Sequence, residues 1–315
     1  MLLDIILFII GAALVVFGAD WLVNGASAIA RRSGLSEYVI GATIVGIGTS
    51  MPEFVVSAIA SLEGNADIAI GNVAGSNAFN TLLILGITAL ILPLNFTRRN
   101  IRIDVPTCIG VSAALLLAAL LFGDGAHTVN RFEGIILFAG FIAYLLWCIR
   151  SGKGEQQDQD VEKEQLPLWR ALMLIAAGLC GLIFGGELFV DSASSIAGRF
   201  GVPESVIAAT LVAGGTSLPE LAVCVVAALK GREQMAIGNI IGSNLSNILL
   251  IIGFAATVSA NPLNVDSVNM TGIWTAFISS VVLLLSAFPL RTATLSRWKG
   301  LAFLAFYAAY MAMIL

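Results

Sequence analysis

Long apolar runs broken by short polar clusters recur from one end of this 315-residue chain to the other. They cover roughly residues 3–30, 38–62, 68–92, 104–122, 132–149, 168–198, 205–229, 235–259, 269–288 and 298–315 on a hydropathy window. About 20 predominantly apolar residues suffice for a helix to cross a bilayer, so the pattern predicts about ten transmembrane helices. The first and sixth runs exceed that length, and at about 1.5 Å of rise per residue they must tilt or protrude. The expected fold is all-α and integral to the membrane. Its units are 1–150, a polar linker over 151–167 (SGKGEQQDQDVEKEQLP), which reads as solvated, and 168–315.

The two long units are copies of each other. GIGTSMPEFVVS at 46–57 returns as AGGTSLPELAVC at 213–224, so Thr49, Ser50, Pro52 and Glu53 recur 167 positions later as Thr216, Ser217, Pro219 and Glu220. The likeness runs on through 17–34 against 184–201 and 69–86 against 236–253, with about half of the paired positions identical. Each copy holds five predicted spans. Five is odd, so the second copy must enter the membrane from the opposite side, giving two inverted-topology five-helix repeats. That architecture belongs to secondary transporters, whose binding site lies near the midplane where the repeats meet.

Composition agrees: 58% of residues are hydrophobic, 11% are charged and the mean hydropathy is +0.95. Soluble domains carry about 25% charged residues. A net charge of -4 with no basic patch excludes nucleic acid as a partner, and no obligatory protein partner is indicated. Fourteen of the sixteen Lys and Arg fall in connections 1–2, 3–4, 5–6, 7–8 and 9–10, leaving Arg131 and Arg199 on the other side. The positive-inside rule then places the linker in the cytoplasm and both termini outside a cell membrane. The N-terminus, Met-Leu-Leu-Asp, lacks the basic flank of a cleaved signal peptide. Cys108, Cys148, Cys180 and Cys224 lie in apolar runs and read as small hydrophobes. His127 is the only histidine, too few for a His/Cys zinc site or a Ser-His-Asp hydrolase, so neither an enzyme nor a cofactor is expected.

The chemistry sits in the repeated motif. Thr49 and Glu53 are i and i+4 on one helical face, as are Thr216 and Glu220, and carboxylates at membrane depth face a bundle interior or a watery cavity. Pro52 and Pro219 cannot donate to the carbonyls of Gly48 and Gly215, so the Gly-Thr-Ser stretch should unwind and free backbone oxygens. The following span in each copy carries a polar stripe, Asn72, Ser76 and Asn80 or Asn239, Ser243 and Asn247. Asn72 and Asn239 read equally well as interhelical glue or as ligands, and Gly71 and Gly75 as packing contacts. Asp20 and Glu187, also paired by the repeat, are expected in solvent near the cytoplasmic end of the long helices. Two carboxylates with hydroxyls, amides and carbonyls form an all-oxygen set suited to a hard cation. Ca²⁺ fits that set, with Na⁺ as competitor.

GTSMPE with GNVAGSNAFN, and GTSLPE with GNIIGSNLSN, resemble the two alpha-repeats of the cation/calcium exchanger superfamily, closest to its prokaryotic Na⁺/Ca²⁺ exchangers. The resemblance covers roughly 17–86 and 184–253. It implies ten helices around a central cluster of ion sites, with two long tilted helices sliding in alternating access. By motif position, Glu53 and Glu220 would bridge the Ca²⁺ and Na⁺ sites, with Thr49 and Thr216 beside Ca²⁺. Ser50, Ser217, Ser76 and Ser243 would complete the Na⁺ sites, helped by the carbonyls of Gly46 and Ala213, and Asn80 and Asn247 would line the middle. Met51 replaces the usual leucine and Gly214 the usual isoleucine. Asn247 stands where many relatives, including the K⁺-dependent branch, carry aspartate. The implied activity is Ca²⁺ extrusion driven by inward Na⁺, and a Ca²⁺/H⁺ exchanger of the same fold is the alternative.

Overall fold

The computed structural model describes residues 1–65, 67–121, 128–151, 166–203, 207, 211, 213–287 and 293–314. Helix α1 (Leu2–Ser33) ends where Gly34 takes φ 68°, a left-handed conformation that a residue without Cβ adopts freely. Helix α2 (Glu37–Thr49) starts at Ser36, whose Oγ accepts the Val39 N–H at 3.3 Å. After a break at Ser50 the chain resumes as α3 (Met51–Leu62), bent by 46° from α2. There follow α4 (Asp67–Ile91), α5 (Asn100–Leu120), α6 (Arg131–Ser151) and α7 (Leu168–Arg199). Then come α8 (Ala213–Gly215), α9 (Leu218–Leu229), α10 (Glu233–Val258), α11 (Ser267–Ser286) and α12 (Arg297–Ile314).

Among the described residues seven helices are long and apolar enough to cross a membrane, or eight when α2 and α3 count as one broken span. The seventh expected span is described only as α8 and the twelve-residue α9, because 204–206, 208–210 and 212 lie outside the described residues. The tenth is α12, which opens with Arg297 and Lys299. His127 and most of the linker, 152–165, also lie outside them. Among the described residues the helices are accompanied by two short antiparallel strand pairings. Strand β1 (Leu94–Asn95) pairs with β4 (Thr294–Leu295), and β2 (Thr128–Val129) with β3 (Leu263–Asn264). Each ties a connection of the first repeat to one of the second.

Burial sorts the helices into centre and edge. In α10 83% of the apolar window is buried and in α4 67%, against 22% in α1 and 33% in α7. The helices carrying the polar stripes are therefore the core, and the two longest form the margin, where Ile9, Phe17, Met173 and Phe184 remain exposed as lipid-facing surface. Helices α1 and α7 pack antiparallel along a glycine seam. A Cβ on Gly11, Gly18 or Gly25 would come within 2.7–2.8 Å of the backbone of α7, so only glycine lets the two chains approach this closely. The antiparallel run also sets Glu187 level with Gly11 rather than with Asp20, so the two acidic residues do not share an end.

The connections sort into two sets by their contacts. In one, Arg232 pairs with Glu37, the Asn95 N–H donates to Glu233 Oε2 at 3.1 Å, and Arg99 donates to the Ser151 carbonyl at 3.2 Å. Lys230 holds Asp20 at 2.6 Å in the same set. In the other, the Asn264 N–H donates to Asp67 Oδ1 at 3.2 Å, Arg131 donates to the Ser259 carbonyl at 3.0 Å, and Arg199 meets Asp4 at 3.1 Å.

Candidate functional site

Both proline motifs break their helices as the missing N–H requires. Ser50 sits at φ -80°, ψ 8° and Ser217 at φ -90°, ψ 7°, each immediately before a new helix with proline in its first turn. The break swings Glu53 and Glu220 inward, where both are fully buried. They are then held across the repeats. The Ser217 hydroxyl donates to Glu53 Oε1 at 2.9 Å, and the Ser50 hydroxyl donates to Glu220 Oε1 at 3.1 Å. Each contact maps onto the other under the 167-residue displacement.

The neighbouring helices repeat this reciprocity. Asn72 Nδ2 donates to the Glu53 carbonyl at 3.2 Å and to Ser57 Oγ at 3.0 Å, while Asn239 Nδ2 donates to the Glu220 carbonyl at 3.4 Å and lies 3.3 Å from Cys224 Sγ. Both asparagines thus serve as glue that fixes the start of the motif helix, and Asn239 Oδ1 also accepts the Thr49 hydroxyl at 3.2 Å. Ser243 Oγ lies 3.1 Å from the Gly46 carbonyl and 3.5 Å from Glu220 Oε1, which brings four of the predicted residues, Gly46, Ser50, Glu220 and Ser243, into direct contact. Ser76 is buried on α4 one turn from Asn80. Ala213 heads α8, and the Thr216 hydroxyl has no partner among the described residues.

Four acceptor oxygens are conspicuous at this centre. Glu53 Oε2, Glu220 Oε2, Asn80 Oδ1 and Asn247 Oδ1 are buried and meet no hydrogen-bond donor among the described residues. A buried acceptor left without a donor costs about 1–3 kcal/mol. The four form two pairs related by the 167-residue displacement, Glu53 with Glu220 and Asn80 with Asn247. Among the described residues no three Asp, Glu, His or Cys gather as a metal site.

The sequence profile described as sodium/calcium exchanger protein matches residues 3–150 and 170–315. The chain belongs to that family. It is 37% identical to the inner membrane protein YrbG of Escherichia coli strain K12, covering 82% of this chain and 81% of that one. It is 30% identical to the sodium/calcium exchanger MaX1 of Methanosarcina acetivorans over 99% of this chain and 98% of that one. In three dimensions it superposes on the sodium-calcium exchanger NCX_Mj, soaked with 10 mM Na⁺ and zero Ca²⁺, with a TM-score of 0.84 and 34% identity, covering 99% and 98% of the two chains.

Against this family background several local features stand out. The expected i, i+4, i+8 stripe is interrupted by wider π-helical turns at Phe79–Ile84 and Asn247–Ile252, which contain Asn80 and Asn247. Asn77 and Asn244, in the regular helix just before those turns, were passed over by the four-residue spacing. The signal was present, since GSN recurs in both copies. The Gly214 departure also has a partner: a Cβ there would stand 3.2 Å from the ring of Phe79, whose own repeat counterpart is the small Ser246. The packing role expected of Gly71 and Gly75 fails at Gly75, where a Cβ would meet nothing within 4 Å among the described residues, and at Gly71 comes down to the Asn269 side chain at 2.7 Å; close backbone packing belongs instead to their counterparts Gly238 and Gly242, where a Cβ would lie 2.3 or 2.2 Å from α2 carbonyls. Asp20 and Glu187 stay outside the cluster, Asp20 paired with Lys230 and Glu187 exposed. Of the cysteines, Cys108, Cys148 and Cys224 are buried, whereas Cys180 is exposed on α7.

Proposed function

We propose that the chain is a secondary antiporter that exchanges Na⁺ for Ca²⁺ across a cell membrane by alternating access, with Ca²⁺ extrusion driven by Na⁺ entering down its own gradient. The observation that carries this is the buried quartet of unpartnered oxygens, because two carboxylates balance one divalent ion while the neutral oxygens complete its coordination. Gly46, Thr49, Ser50, Glu53, Ser76 and Asn80 from the first repeat, with Ala213, Thr216, Ser217, Glu220, Ser243 and Asn247 from the second, are the residues assigned to the ions. Reciprocal contacts under the 167-residue displacement support two inverted five-span units, 1–150 and 168–315, and ten spans in all. The skew of Lys and Arg, together with the sorting of connections into two contact sets, supports a cytoplasmic linker and both termini outside.

Reconstituted vesicles test the coupling. Ca²⁺ flux should follow an imposed Na⁺ gradient, and a pH gradient alone should drive none. A proton-coupled exchanger reverses that outcome, and a channel passes Ca²⁺ with no counter-ion at all. Replacing K⁺ by an inert cation should leave the flux intact, because Asn80 and Asn247 are neutral and, among the described residues, no third carboxylate joins Glu53 and Glu220.

A further inference from the structure

Asn77 and Asn244 link Asn247 and Asn80 through a chain of amide hydrogen bonds. Asn77 Nδ2 donates to the backbone carbonyl of Asn244 at 3.1 Å. A carbonyl only accepts, so the amino end of Asn77 is committed there and its Oδ1 is turned toward Asn247. Asn247 Nδ2 donates to that Oδ1 at 3.0 Å, which leaves Asn247 Oδ1 among the four oxygens without a donor. The other repeat shares the amide-to-amide bond but anchors its second asparagine differently. Asn80 Nδ2 donates to Asn244 Oδ1 at 3.1 Å, Asn244 Nδ2 donates to Thr81 Oγ1 at 2.8 Å, and Asn80 Oδ1 meets no donor among the described residues.

An amide has an attractive end and a repulsive end for a cation, and side-chain rotation exchanges them at no covalent cost. We propose that Asn77 is a positioning residue: it sets the orientation of the Asn247 amide so that oxygen rather than NH₂ faces the transported cation, and Asn244 does the same for Asn80. This rests on the assignment of Asn247 and Asn80 to the ion cluster. Simple interhelical glue would use the same hydrogen bonds, but it would not depend on which end of the residue at 247 points inward.

The test uses the full-length chain, purified and reconstituted, with the Ca²⁺ concentration giving half-maximal Na⁺-driven flux and that giving half the maximal Ca²⁺-induced rise in melting temperature. Asn77→Leu should raise both by about tenfold, the worth of one hydrogen-bonded ligand. In an Asn247→Asp background the same substitution should bring no further loss, since a carboxyl presents an oxygen whichever way it turns. Equal losses in the two backgrounds, or no loss in either, would overturn the inference. If Asn77→Leu fails to reach the membrane, Asn77→Thr, whose shorter hydroxyl cannot span both partners, is compared in the same two backgrounds by the same criteria. Glu53→Gln and Glu220→Gln run alongside. If those exchange Ca²⁺ normally the ion site itself is misassigned, whereas if they are inactive and Asn77→Leu costs the same in both backgrounds, only the orienting role fails.

Discussion

Replacing Glu53 by glutamine changes charge and almost nothing else. A glutamine oxygen can still accept the Ser217 hydroxyl, now 2.9 Å from Oε1, while Oε2, which meets no donor among the described residues, becomes an NH₂. A divalent ion would then meet one carboxylate instead of two at a depth where water cannot compensate. Removing one partner of a buried charge pair costs about 3–5 kcal/mol, so Ca²⁺ affinity should fall by about 10²- to 10⁴-fold. Ser217→Ala deletes only a hydrogen bond to a charged group, about 1.5–3 kcal/mol, and should cost about 10- to 100-fold. Na⁺-driven uptake of radioactive Ca²⁺ into vesicles, paired with Ca²⁺-dependent melting of the purified protein, measures both. In chelator the Gln variant should melt no lower than the wild type, because it removes repulsion between two buried carboxylates. Exchange within about threefold of wild type, or a Ser217→Ala loss exceeding that of Glu53→Gln, would refute the paired-carboxylate site.

Three further outcomes are expected. Gly18→Ala would set a Cβ 2.8 Å from the Leu182 nitrogen and 2.9 Å from the Gly178 carbonyl, so α1 and α7 must separate by roughly 0.5–1 Å and forfeit a quarter to a half of those contacts. Its melting temperature should drop, while Gly110→Ala, with no neighbour within 4 Å among the described residues, should be tolerated. Arg99 lies 5.7 Å from the Tyr38 ring, 5.1 Å from the Trp147 ring and 3.6 Å from Asp104, with 9% of its side chain exposed. Arg99→Ala should therefore destabilise by about 3–5 kcal/mol in denaturant melts, and lysine should not restore the planar stacking. Finally, cysteines introduced at Gln156 and after Leu315 should react with impermeant reagents from opposite sides of the membrane. Reaction from the same side would contradict the charge skew.

Much of this molecule was legible along the chain. Burial in lipid demands apolar runs about 20 residues long, and a duplicated helix set leaves its copy in the sequence, so the membrane class and the paired motifs needed no coordinates. Proline chemistry likewise placed the helix breaks at Ser50 and Ser217. Partner choice across the repeats was beyond such reasoning, because Ser50 meets Glu220 and Ser217 meets Glu53 only once two segments about 170 residues apart have packed. The stripe on α4 and α10 was read with a regular helical period, which leaves out Asn77 and Asn244 and gives no sign of the π turns that hold Asn80 and Asn247. Amide polarity is likewise a tertiary property. Sequence can name an asparagine, but which of its ends faces inward is decided by the carbonyl that claims the other, and in Asn77 that carbonyl belongs to Asn244 of the opposite repeat.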